Sequence, residues 1–177
     1  MSTRDALQYS RSMAPLAALA TALAERDQPG ASLRVLDRVL DAAVGHRLFT
    51  ALLYRPADGV ADRVYSSAPD RFPAQGSKAL DEAPIMRRVL MSGLPYIARD
   101  ASDITRDFPD HEKILALGCA SILNMPVRWN GDVIGQVNLL HEAGHFHDGH
   151  FPIVEMLAQM VVPAFLLAAQ QARRDGP

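Results

Sequence analysis

"SILNMPVRWNGDVIGQVNLLH", Ser121 to His141, is the stretch from which the fold follows. Two apolar-rich arms flank Asn130-Gly131, the dipeptide that best accepts the paired left-handed conformations of a type I′ turn. The stretch therefore reads as a β-hairpin whose second arm, Asp132 to Leu140, is rich in Val and Ile with Gly135 inside it. The next segment, "HEAGHFHDGH" from His141 to His150, then begins at a strand end. It spells H-E-x-x-H, a pattern that grips zinc only where both histidines share one face of a helix. A strand end offers no such face, and Gly144 and Gly149 would each cost a helix about 1 kcal/mol relative to alanine. The segment is expected to be a polar loop over Phe146 and Phe151, tolerating alanine at His145 or His147 within about 0.5 kcal/mol. No metal is expected in it. A transition-metal site, if one forms, would draw on His141, His145 and His147, then His150, with Glu142 or Asp148 as carboxylate ligands.

Outward from the hairpin, "RLFTALLYRP", Arg47 to Pro56, reads as a strand, Ala57-Asp58-Gly59 as a turn, and Val60 to Ser67 as its weaker antiparallel partner. Between the two hairpins, Pro69 to Asp81 reads as loop and "APIMRRVLMSG" as a short helix with Gly93 just past its end. "PYIARD" reads as a short strand, Ala101 to Pro109 as a polar loop, and His111 to Leu117 as a short helix. Leu33, Leu36, Val39, Leu40 and Val44 recur at helical spacing and mark a helix over Ala31 to Ala43. Ile153, Val154, Leu157, Met160 and Val161 mark a long closing helix from Phe151 to about Arg173. The order implies an α+β fold, a central antiparallel sheet flanked by helices, with the N-terminal and C-terminal helices packed together.

The chain of 177 residues is 49% hydrophobic, enough to bury one sizeable core. Its 18 Lys plus Arg against 20 Asp plus Glu leave a net charge of −2, with no polybasic footprint for nucleic acid or an anionic membrane. Neither partner is expected, and no apolar run reaches the roughly 18 residues of a membrane span. A single cysteine, Cys119, excludes an intrachain disulfide and fits the reducing cytoplasm, where the protein is expected to reside. "MAPLAALATALA", Met13 to Ala24, ends like a signal-peptide cleavage site, but Leu16, Leu19 and Leu23 share one helical face and Asp5 does not suit a leader. Residues 1–28 are thus expected as an N-terminal helix, 31–169 as the domain and 170–177 as a tail.

Gly118 to Ala168 resembles the C-terminal half of a GAF domain, with Ser121, Pro126, Asn130, Gly131, Gly135, Asn138, Leu139 and Phe146 in the places of that pattern. The first hairpin and "GLPYIARD" resemble its N-terminal half, so the likeness spans about Ala31 to Ala169. The resemblance implies a sensory or regulatory module, expected to stand alone, that holds a small polar ligand between one sheet face and the middle-segment loops. Asp103, Thr105, Asp107, Phe108 and His111 supply that segment's polar groups and an aromatic wall. Tyr54, Tyr65, Ser121 and Asn138 would reach the pocket from the strands, and Asn138 in particular, an amide inside an apolar strand, needs partners if buried. No cofactor is implied. Cys119 alone cannot run the disulfide cycle of the family's methionine sulfoxide reductases, "LGCAS" lacks the surroundings of a bilin-attachment cysteine, and the cyclic-nucleotide signature is not traceable. The alternative is an enzyme on the same fold that acts on a small polar metabolite with His141, His145, His147 or His111 as acid, base or metal ligand. A homodimer through the terminal helices is expected.

Overall fold

The computed structural model describes the backbone of residues 3–74 and 76–175 and the side chains of residues 13–74 and 76–174. The hairpin forms as its turn dictates: β5 (Ser121–Trp129) and β6 (Asp132–His141) pair antiparallel, and Asn130 and Gly131 both take positive φ, 51° and 89°. β1 (Leu48–Arg55) pairs with β6, placing Thr50 opposite Asn138, and β2 (Val60–Ser66) pairs with β1. Two short strands, β3 (Ser77–Ala79) and β4 (Tyr96–Ala98), complete an open, wholly antiparallel sheet in the order β3-β2-β1-β6-β5-β4.

Strand alternation divides this sheet into two working faces. Phe49, Leu53, Leu123, Met125, Val137 and Leu139 point to one side. There they meet Leu33, Leu36 and Leu40 of α2 (Gly30–Val44), Leu157 of α6 (Phe151–Met160) and Phe165 of α7 (Val162–Asp175) in a single core. Leu19 of α1 (Thr3–Leu23) is fully buried in the same core, which packs the two chain ends together. Leu48, Thr50, Leu52, Ile122, Asn124, Asn138 and Leu140 point the other way, towards the middle segment.

The structure departs from the sequence expectations at three places. The closing helix is two helices bent by 52°, because Pro163 has no N–H to continue the ladder and can only begin a new first turn. α7 runs through Asp175, close to the expected end of the closing helix at about Arg173, while the other departures lie in the middle segment. The loop Pro69 to Asp81 contains β3, which forms only because β2 offers an edge; nothing in Ser77-Lys78-Ala79 itself favours a strand. The polar stretch Ala101 to Pro109 contains α4 (Ala101–Asp107), started by Asp100, whose carboxylate accepts from the Ser102 and Asp103 amides at 2.8 and 3.0 Å. α3 (Pro84–Ser92) and α5 (His111–Ala116) form as expected, with Gly93 at φ 65° ending the first. Among the described residues, no single helix is long and apolar enough to cross a membrane.

Candidate functional site

The second sheet face floors a cleft that α3, α4, α5 and the β2–β3 loop wall in. It holds about 60 Å³ of room for the centres of water-sized molecules, several times the roughly 10–15 Å³ that one water needs. Its apolar walls are Leu48, Leu52, Phe72, Ile85, Met86, Phe108, Ile114, Ile122 and Leu140. Across the floor runs a row of buried polar side chains. Asn138 Oδ1 accepts from Asn124 Nδ2 and from Gln136 Nε2, both at 2.5 Å, and Asn138 Nδ2 donates to Thr50 Oγ1 at 3.0 Å. The Tyr54 hydroxyl donates to Gln136 Oε1 at 2.5 Å and lies 3.0 Å from the Met86 carbonyl, which ties α3 to the sheet. One atom of the row is left over: Asn124 Oδ1 is buried without a partner.

Of the residues expected to form the pocket, Asn138, Asp107 and Phe108 line the cleft. Tyr54 points to the same face but serves the row from its end, and burial pushes its phenol far above the usual range. Tyr65 lies on the opposite face, its hydroxyl donating to Asp37 of α2 at 2.7 Å. The reason is a β-bulge. Leu52 pairs with Arg63 and Ala51 with Tyr65, so Val64 is an extra residue and the two side chains around it take opposite faces. Ser121 also faces the helices, where its Oγ donates to the Ala98 carbonyl at 3.0 Å and accepts from the Phe146 amide at 3.4 Å. Asp103 braces α4, accepting from the Arg99 amide and from Arg106 at 2.9 and 2.7 Å. Thr105 is exposed and bonds back to the Ala101 carbonyl, and His111 Nδ1 sits 3.0 Å from the Phe108 carbonyl; neither lines the cleft.

The lining also contains polar residues that the sequence did not point to, Thr50 and Asn124 on the floor and three charged ones. Arg63, Lys78 and Asp110 meet at one end of the cleft, with Lys78 3.1 Å from Asp110. The Arg63 guanidinium donates to the Pro73 carbonyl at 2.9 Å and lies over Phe72, but its Nε is buried without a partner. Burial lowers the Arg63 pKa and the nearby Asp110 carboxylate opposes that shift. Asp107 is already engaged by Arg106, which holds its carboxyl below the usual range, and by the Tyr96 hydroxyl.

The histidine-rich segment lies on the helix side of the sheet. The His141 and His145 rings stack at 3.6 Å with planes 13° apart, and His147 lies 4.0 Å from His150. Stacked rings send their in-plane lone pairs along parallel lines rather than to one point, and three of the ring nitrogens are engaged. His141 Nδ1 accepts from the Glu142 amide and His147 Nδ1 from the Gly149 amide. Among the described residues, no three His, Cys, Asp or Glu side chains are grouped to hold a metal ion. His145 is also less replaceable than a free loop residue, because its Nε2 lies 2.7 Å from the Val44 carbonyl at the end of α2 and its ring packs edge-on against Phe146.

The stack makes stability depend on pH. Burial, and then neighbouring His side chains, lower the proton affinity of His141 and His150. Such groups bind protons more readily in the unfolded chain, so their contribution is full above about pH 6.5 and is lost as the pH falls below it. His46 acts oppositely. Burial lowers its affinity, but the Asp37 hydrogen bonds and charge outweigh that and raise it, so its contribution is full below about 6.5 and fades as the pH rises through the folded value. Arg47, paired with Glu142, and Arg99, paired with Asp148, flank the stack. Melting curves between about pH 7.5 and 5.5 are expected to show a smaller acid loss in a His141→Gln/His150→Gln double variant and a larger one in His46→Gln. Parallel curves for all three proteins would refute the assignment.

The family model described as "GAF domain" matches residues 26–165. No curated protein matches the chain. Among solved structures, the GAF domain of a phosphoenolpyruvate-protein phosphotransferase from Coxiella burnetii is similar at 13% identity, TM-score 0.69, over 90% of this chain and 95% of that one. The GAF domain of the phosphoenolpyruvate-protein phosphotransferase from Acinetobacter shares 16% identity, TM-score 0.66, over 100% and 99%. That of a two-component sensor histidine kinase from Bacillus halodurans shares 12% identity, TM-score 0.65, over 79% and 95%.

Proposed function

The chain belongs to the GAF domain family, whose members are sensory and regulatory ligand-binding domains, and on that premise we propose that it senses a small polar molecule held in the cleft above β1, β6 and β5. The observation that carries this reading is the row Tyr54–Gln136–Asn138–Asn124 with Thr50. A face meant only for packing would be apolar, whereas this one keeps five polar side chains, three of them lining the cleft, and leaves Asn124 Oδ1 without a partner. The histidines of the alternative, catalytic reading lie outside the cleft, so no geometry favours it. Cys119, buried and free, fits a reducing cytoplasm.

Pairing of two copies through the terminal helices is part of the reading: Met13, Met156 and Leu166 remain exposed on α1, α6 and α7. The test is mass spectrometry of the purified full chain under native and denaturing conditions, with a thermal-shift survey of small metabolites and light scattering on the same material. A ligand at a hundred times its Kd adds about 2.7 kcal/mol, on the order of 5–10 °C for a chain of this size. No retained compound and no shift from any metabolite would reject the sensor, and a full-length monomer at micromolar concentration would reject the pairing.

A further inference from the structure

We propose that the ligand is a small monocarboxylate with a hydrogen-bond donor at its far end, its carboxylate on Arg63 and its donor on Asn124 Oδ1. The proposal rests on the cleft being a ligand site and narrows what that site accepts.

Three observations converge on it. The first is the pair of unsatisfied atoms. In a cleft whose walls are mainly apolar, Arg63 Nε is a buried donor without an acceptor, and Asn124 Oδ1, on a side chain 3% exposed, is a buried acceptor without a donor. Each such atom is costly until it is matched, and together they ask a ligand for an acceptor at one end and a donor at the other.

The second is charge. At the Arg63 end, Lys78 and Asp110 pair at 3.1 Å, and Asp107 is held by the Tyr96 hydroxyl and by Arg106, which it shares with Asp103. Among the described residues no carboxylate lies within ion-pair distance of Arg63, so its charge has no direct partner. One negative charge balances it, which favours a carboxylate over a phosphate dianion. A planar carboxylate also matches the guanidinium edge through two parallel hydrogen bonds.

The third is spacing. Arg63, opposite Leu52, and Asn124, in register with Asn138 and Thr50, are three strand spacings apart across the sheet, about 14 Å at roughly 4.8 Å each, and two residues apart along it, about 16 Å in all. The arginine side chain crosses part of this, leaving room for an extended chain of about five to seven bonded atoms. That chain would run beneath Ile85 and Met86 and over Leu52, then over Asn138, whose amide is already bonded to Asn124, Gln136 and Thr50, so the middle of the ligand meets only apolar or satisfied groups and is a hydrocarbon.

The experiment is titration calorimetry on the full chain with four probes: ω-hydroxyhexanoate, hexanoate, ω-hydroxyhexanamide and adipate. The first is expected to bind at least about tenfold more tightly than each of the others, a factor worth about 1.4 kcal/mol. Arg63→Gln should erase the preference for acid over amide, and Asn124→Leu should erase the preference for the hydroxy acid over hexanoate while keeping that for acid over amide. Equal binding of amide and acid, or tighter binding of adipate, by the unaltered protein overturns the monocarboxylate, and does so whether or not the variants fold. No binding by any probe also overturns it; the broader sensor reading then stands or falls separately, on the compounds retained in the mass spectrum.

Discussion

Gly135→Ala is expected to cost at least about 3 kcal/mol of folding stability, and Gly135→Val to leave no cooperative unfolding transition. Gly135 sits in β6 opposite Leu53 and Val127, and a Cβ placed on it would lie 2.4 Å from the Leu52 carbonyl oxygen and 2.4 and 2.7 Å from two Phe165 ring carbons. Neither neighbour can yield cheaply. The carbonyl belongs to the adjacent strand, so moving it breaks the β1–β6 ladder, and Phe165 is 1% exposed in the core beneath α7. A chain of marginal stability, roughly 5–15 kcal/mol in all, does not absorb both shifts and a second methyl pair. Gly131→Val provides the contrast: its φ of 89° strains a β-branched residue, but nothing lies within 4 Å of the added Cβ, so the cost should stay near 1–2 kcal/mol. Urea unfolding of the three variants decides it, and a Gly135→Ala protein within about 1 kcal/mol of the parent would show that the helix α7 is not seated as described.

Asn138→Ala is expected to cost about 3 kcal/mol, far more than a lost surface amide. The substitution deletes the common acceptor of Asn124 and Gln136 and the donor to Thr50, stranding two buried amide groups in the sheet floor. Because the cost lies in the stranded partners, Asn124→Ala added to it should cost less than the sum of the two single changes. Thr50→Val, which removes only the last acceptor of the row, should cost about 1 kcal/mol. Additive losses for Asn138→Ala and Asn124→Ala would mean that the row is not one network, and would remove the strongest argument for a polar-ligand cleft. Loss of affinity for the ligand should accompany Asn138→Ala even under conditions where the variant remains folded.

The amino-acid sequence by itself determined whatever acts over a few residues: the hairpin turn at Asn130-Gly131, the helix stop at Gly93, the helical face of Leu33, Leu36 and Leu40, and the demand of Asn138 for partners. These follow from backbone sterics, side-chain period and the cost of an unbonded amide, all written locally. Only the tertiary structure decided which groups meet. His145 finds the Val44 carbonyl, 101 positions away, and Lys78 finds Asp110 across 32. β3 exists because β2 offers it an edge, and one inserted residue, Val64, sends Tyr65 to α2 while keeping Arg63 over the cleft. A bulge is a property of two paired strands rather than of either, so the face that Arg63 and Tyr65 take cannot be counted along β2 alone. The charge left over at the cleft is settled by the same long-range pairing, which seats a strand, a loop and a helix start around a single guanidinium.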